Sequence, residues 1–213
     1  MTCRLYLISP PAIDLPKFAD ALKAAFSGGD VGSFQLRLKD ADDNYILRAA
    51  EMLLPICREH EAAFIMNDRA DLAVKCGADG VHLGQDDMGV AEARAIVGND
   101  RVIGVSCHDS KHMGIVAGEQ GADYVAFGAF YPTQSKSPEK LARYSVPAPE
   151  ILTWWQQTML LPCVAIGGMT PANCTPLVKA GADFIAVITA VWEYPEGPKK
   201  AVAEFNKAIE RAL

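Results

Sequence analysis

Short apolar runs rich in β-branched residues alternate with longer amphipathic stretches eight times along the 213 residues. A strand buried on both faces reads as an unbroken apolar run, and the helix that covers it shows a 3.6-residue period. The predicted strands are 4–8, 33–38, 64–66, 80–83, 101–106, 123–127, 162–166 and 184–189. The predicted helices cover about 15–26, 43–60, a stretch closed by Gly77, 90–97, a segment after His108, 149–159, one starting near Pro171, and a last one reaching the C-terminus. Eight βα units in a chain of this length predict a single (β/α)8 TIM barrel, α/β in class, with residues 1–213 as one domain. A doubly wound open sheet is the alternative, but no GxGxxG or GxxxxGK[ST] motif accompanies it. Within the pattern, Gly-Ala-Asp recurs at 77–79, 121–123 and 181–183, each time between a helix end and a strand start. The Gly suits a left-handed helix C-terminus.

Half of the residues are hydrophobic and 22% are charged, enough apolar content for a large core without cross-links. A net charge of −6 with no basic run argues against a nucleic-acid partner. The six cysteines lack metal spacing, and most fall inside predicted elements as small apolar residues, which suggests a reducing compartment. No run approaches the roughly 18 apolar residues of a membrane span. A cytoplasmic protein with small-molecule partners and no membrane partner is expected. Trp154-Trp155 would cover the sheet or a subunit contact, which leaves a homo-oligomer open.

In a barrel of this type, chemistry gathers at the C-terminal strand ends. Two consecutive strands finish in carboxylates, Asn67-Asp68 and Gly84-Gln85-Asp86-Asp87. Mg²⁺ takes oxygen ligands, commonly one or two carboxylates completed by phosphate and water. A Mg²⁺-phosphate site on Asp68 and Asp87 is therefore one reading; helix N-capping by these aspartates is the other. Alternation in the second strand puts Gln35, Arg37 and Lys39 on one face and Leu36 and Leu38 on the opposite one. Facing inward, two cations need an anion to compensate them; an exposed edge strand is the alternative. Ser106 closes the fifth strand. Thr133, Gln134, Ser135 and Lys136 lie on the loop after the sixth, either an anion-binding loop or a polar surface loop. Gly167-Gly168 and Ile188-Thr189 close the last two strands, where a second phosphate often binds. His108 and His112 could share a helix face, but a zinc site would need a third ligand. Nothing resembles an activated nucleophile, and Cys107 is poorly placed for deprotonation by adjacent His108.

In this order the motifs QLRLK (35–39), NDRADLA (67–73), GADGVHLGQDDM (77–88), GVSCH (104–108), GADYVAFG with YPTQSK (121–136), VAIGGMTPAN (164–173) and GADFIAVITA (181–190) resemble the thiamine-phosphate synthase family over nearly the whole chain. The resemblance implies a (β/α)8 transferase. It would join hydroxymethylpyrimidine pyrophosphate to thiazole phosphate by Mg²⁺-assisted, dissociative displacement of pyrophosphate. It implies that Gln35, Leu36, Arg37, Leu38, Lys39, Asn67, Ser106 and Lys136 contact the pyrimidine pyrophosphate, with Arg37, Lys39, Ser106 and Lys136 catalytic. It also implies Asp68 and Asp87 as Mg²⁺ ligands, and Thr133, Gln134, Ser135, Gly168, Ile188 and Thr189 as the thiazole phosphate site. Asp71 and Asp86 are read as surface or capping residues. Leu38 replaces a common acidic residue, Ala129 a common Pro, and Thr189 a usual Ser. Two relatives offer other activities: a thiazole tautomerase, in which His108 would be the base, and a non-catalytic binder of thiamine precursors.

Overall fold

A computed structural model describes residues 2–133 and 143–213. Eight parallel strands close into a barrel in sequence order: β1 Arg4–Ile8, β2 Val31–Leu36, β3 Ala63–Asn67, β4 Gly80–Leu83, β5 Val102–His108, β6 Tyr124–Phe127, β7 Cys163–Ile166 and β8 Phe184–Val187. The last pairs with the first, Leu5 opposite Ile185. The helices among the described residues are α1 Leu15–Phe26, α2 Asp43–Glu59, α3 Ala70–Cys76, α4 Val90–Val97, α5 Lys111–Glu119, α6 Glu150–Thr158, α7 Thr175–Lys179, α8 Thr189–Trp192 and α9 Pro198–Glu210. No helix of them is long and apolar enough to cross a membrane.

Pleat alternation sorts the side chains into two cores. Leu5, Leu7, Phe34, Leu36, Phe64 and Met66 point outward and pack on the helices. Tyr6, Ile8, Ile65, Tyr124, Ala126, Val164 and Ala186 fill the barrel interior beneath the site. Trp155 is fully buried in the outer layer, edge-on to Phe127, while half-buried Trp154 sits under the Lys111 ammonium. Gly114 is required here, because a side chain would strike the Trp155 ring.

The Gly-Ala-Asp echo has one structural task, performed three times. Gly77, Gly121 and Gly181 turn the chain with positive φ. The carboxylates of Asp79, Asp123 and Asp183 then accept from the Phe64, Ile103 and Cys163 amides at 2.7–2.8 Å, tying each strand start to the strand before it. Asp183→Ala leaves the Cys163 amide without this acceptor and frees Gln156 Nε2. An unsatisfied buried donor costs about 1–3 kcal/mol. For a chain of this size the thermal midpoint is expected to fall by roughly 2–12 °C, as calorimetry would show.

Element boundaries depart from the sequence reading where loops capture backbone groups. The second strand stops at Leu36, two residues early, since the Arg37 amide donates to Ser9 Oγ at 2.8 Å and the Lys39 amide to Pro11 O at 2.9 Å. The helix expected near Pro171 starts at Thr175, because Asn173 Oδ1 accepts from the Thr170 amide and holds a turn there. The eighth strand ends at Val187, and Thr189 opens the separate short helix α8. His108 ends β5 instead of starting a helix, so it shares no helix face with His112 on α5. Among the described residues no group of three His, Cys, Asp or Glu side chains is placed to hold a metal, and the zinc reading has no third ligand.

Candidate active site

The C-terminal ends of the strands enclose a cavity of about 660 Å³, within the usual range for small-molecule sites. Gln35, Arg37, Lys39, Asn67, Asp68, Gln85, Asp87, Ser106, Thr133, Gly168, Ile188 and Thr189 all line it. Leu36 is buried against the helices, and Leu38 also packs on that outer core. The structure therefore does not bring these two into the cavity, as pleat alternation requires. Gln134, Ser135 and Lys136 lie outside the described residues.

Asp68 and Asp87 are not helix caps. Arg69 occupies the N-cap of α3 and Gly89 that of α4, with no side-chain cap bond at either. Asp68 instead adopts a left-handed backbone, φ 61°, and its amide donates to His82 O. Asp87 turns back so that its carboxylate accepts from the Gly84 amide at 2.8 Å. A side chain at Gly84 would collide with that carboxylate. Asp71 is engaged elsewhere, paired with Arg69 at 2.7 Å. Asp86 corrects its surface reading in part: it is exposed, but it lines the cavity and lies 3.4 Å from Arg143.

Burial pushes the Asp68 carboxyl up from 3.8 to about 6, helped by the charge of Asp87 and a hydrogen bond between the two carboxyls; Arg37 and Asn67 pull it down. Two carboxylates facing one another oppose joint ionisation. Because its folded value exceeds its unfolded one, Asp68 stabilises the fold fully below pH 3.8 and loses that contribution as pH rises through about 6. Asp87→Asn removes the repulsion and keeps an acceptor for Gly84. In chelator-treated protein at pH 8 it is expected to raise the thermal midpoint by about 2–4 °C, on the order of 1 kcal/mol after allowance for solvent screening at this half-exposed pair. The gain should vanish below about pH 5, as paired melting curves would show.

The adjoining wall, at the end of β2, is cationic. Burial lowers the Arg37 pKa, partly offset by the charge of Asp68. The Arg37 guanidinium makes no hydrogen bond or ion pair among the described residues, whereas the neighbouring Gln35 amide donates to Asn67 Oδ1 at 3.0 Å. Gln85 Nε2 donates to Ser106 O at 2.5 Å. Across the cavity, Gly167 and Gly168 have positive φ, and a side chain on either would strike the Ala129–Pro132 segment packed against them. Asn173 braces this turn, donating to Gly168 O at 3.0 Å.

Several lining residues were absent from the sequence reading. His82 stands between Tyr124 and Ser106, Tyr144 stacks on His108 with 3.5 Å between centroids, and Arg143 meets Asp86. Inward parity on β4 was a usable signal for His82; Arg143 and Tyr144 arrive from a loop with no periodicity. Cys107 is fully buried on the helix side, its thiol pushed up to about 12 by burial, which rules out a reactive thiolate.

The family profile for thiamine monophosphate synthase matches residues 5–191. The chain belongs to this family. Thiamine-phosphate synthase of Rhodospirillum centenum (strain ATCC 51521 / SW) is 57% identical over 207 residues, covering 97% of this chain and 98% of that protein. The enzyme of the same name from Hyphomonas neptunium (strain ATCC 15444) is 48% identical over 97% of this chain and 94% of its own. Among solved structures, thiamine phosphate pyrophosphorylase from Pyrococcus furiosus superposes with a TM-score of 0.84 at 32% identity, covering 99% of this chain and 96% of that one. The thiamine monophosphate synthase family is one of transferases, and this member is an enzyme of that type with the family's TIM barrel.

Proposed function

We propose that the cavity condenses hydroxymethylpyrimidine pyrophosphate with thiazole phosphate, giving thiamine phosphate and pyrophosphate by Mg²⁺-assisted dissociative displacement. The observation that carries this reading is the Arg37 guanidinium, half-buried at the cavity wall without a hydrogen-bonding partner among the described residues, beside the paired carboxylates of the neighbouring strand ends. A buried cation without a partner calls for an anion. Gln35, Arg37 and Lys39, with Asn67, Ser106 and Lys136, would receive the pyrimidine pyrophosphate. Thr133, Gln134, Ser135, Gly168, Ile188 and Thr189 would hold the thiazole phosphate, at the strand-seven and strand-eight ends where such barrels often bind one.

The donor set at Asp68 and Asp87 fits Mg²⁺: two hard carboxylates, with room in the cavity for phosphate oxygens and water. Mg²⁺ held there supplies charge compensation for the departing pyrophosphate. The chain's own cations share that work, since dispersed positive charge stabilises a leaving group without any strong base. The thiazole substrate is then positioned so that its nitrogen meets the pyrimidine methylene carbon as the bond to pyrophosphate breaks.

His108 lining the cavity is the one observation favouring the tautomerase reading. The cation wall and carboxylate pair have no task in metal-independent proton transfer. A pyrophosphate-release assay separates the readings. Release that needs both substrates and Mg²⁺ supports the synthase; thiazole isomerisation without Mg²⁺, or binding without turnover, refutes it.

A further inference from the structure

Below the cavity floor, four side chains form a continuous hydrogen-bonded row. Tyr6 Oη lies 2.8 Å from Tyr124 Oη, Tyr124 Oη 2.9 Å from His82 Nδ1, and His82 Nε2 2.9 Å from Ser106 Oγ. Tyr6 and Tyr124 are buried in the barrel interior, and Ser106 opens on the cavity. We propose that Tyr6, Tyr124 and His82 form a chain of fixed direction that holds His82 as its Nε2–H tautomer and makes the Ser106 hydroxyl a donor into the cavity.

The direction follows from counting donors and acceptors from the closed end. Among the described residues Tyr6 Oη has one partner, Tyr124 Oη. A buried hydroxyl proton left without an acceptor is costly, so Tyr6 donates to Tyr124. Among the described residues Tyr124 then has a single remaining neighbour for its own proton, His82 Nδ1. An Nδ1 that accepts carries no hydrogen, so the imidazole is neutral with its proton on Nε2. That proton goes to Ser106 Oγ, and the seryl proton is left to point at the ligand. Burial raises both phenol pKa values, so neither gives up the proton on which the order depends. Gly104 supports the row from the side, because any side chain there would overlap the Tyr124 ring.

The consequence is a selectivity rule: the atom seated on Ser106 is an acceptor, either an aromatic ring nitrogen or a phosphate oxygen, and not an amino group. His82, Tyr124 and Tyr6 are positioning residues. The inference rests on the proposed placement of Ser106 in the pyrimidine pyrophosphate site, and the experiment tests the two apart. Ring-nitrogen NMR of the wild-type protein at neutral pH is expected to show His82 with a bare Nδ1 and a protonated Nε2; an Nδ1–H tautomer or an imidazolium overturns the chain's direction whatever the kinetics show. Tyr124→Phe keeps the ring and loses the hydroxyl. It is expected to raise KM for the pyrimidine pyrophosphate about fivefold with kcat little changed, and to mix the two tautomers. In a Ser106→Ala background it should cost less than about twofold more, since both changes remove one interaction. Losses that multiply in the double variant overturn the action through Ser106. Wild-type kcat/KM in Ser106→Ala instead overturns the placement of Ser106 itself. Phosphate and ring-nitrogen recognition are told apart by comparing KM for a pyridine analogue with KM for the substrate: a larger rise in wild type than in Ser106→Ala identifies the ring nitrogen, and equal rises identify the phosphate.

Discussion

Asp87→Ala is expected to abolish Mg²⁺-dependent pyrophosphate release, by about 10³-fold or more, while thiazole phosphate binding stays within about twofold of wild type. The substitution removes one of the two facing carboxylates and returns the Gly84 amide to solvent. The fold should be retained, because Asp87 is an exposed loop residue outside both cores. Asp68→Ala should behave alike in turnover, though it removes a left-handed residue that Ala accommodates less well than Asp. Initial rates across a Mg²⁺ titration, with calorimetric binding of thiazole phosphate, decide the matter. A rate near wild type in either variant would refute the metal assignment.

Arg37→Ala is expected to raise KM for the pyrimidine pyrophosphate by about 100-fold and to leave KM for thiazole phosphate within about threefold. A guanidinium held in a half-buried wall without a hydrogen-bonding partner among the described residues has already lost part of its hydration. An incoming phosphate recovers that loss through charge-assisted hydrogen bonds. Arg37→Lys keeps the charge but not the planar fork, so about a tenfold loss is expected. Steady-state kinetics with each substrate varied in turn measure both effects. Equal rises in the two KM values would place Arg37 between the phosphates instead of on one of them.

The barrel was legible because its cause is local and repeated. Each strand needs both faces buried, so apolar runs and helix periods show in the sequence without knowledge of their neighbours. The inward set Gln35, Arg37 and Lys39 followed from the two-residue pleat, and the same rule sent Leu36 and Leu38 to the helix side. The Gly-Ala-Asp echo was visible as a glycine turn. Its second half was not, since each carboxylate bonds a strand fifteen to twenty residues away. A strand end was misplaced where Ser9 and Pro11 take up backbone groups of the next strand, and a helix start where Asn173 holds a local turn.

The sequence alone determined the (β/α)8 alternation, the family motifs and the residue types at the strand ends, because these depend on near neighbours and on order along the chain. Only the tertiary structure removed the capping reading of Asp68 and Asp87, by putting Arg69 and Gly89 at the helix starts. Only it assembled Tyr6, Tyr124, His82 and Ser106, which come from four strands, into one row. Barrel closure is the reason: side chains up to 118 positions apart meet where parallel strands share an interior, and no local pattern records that meeting.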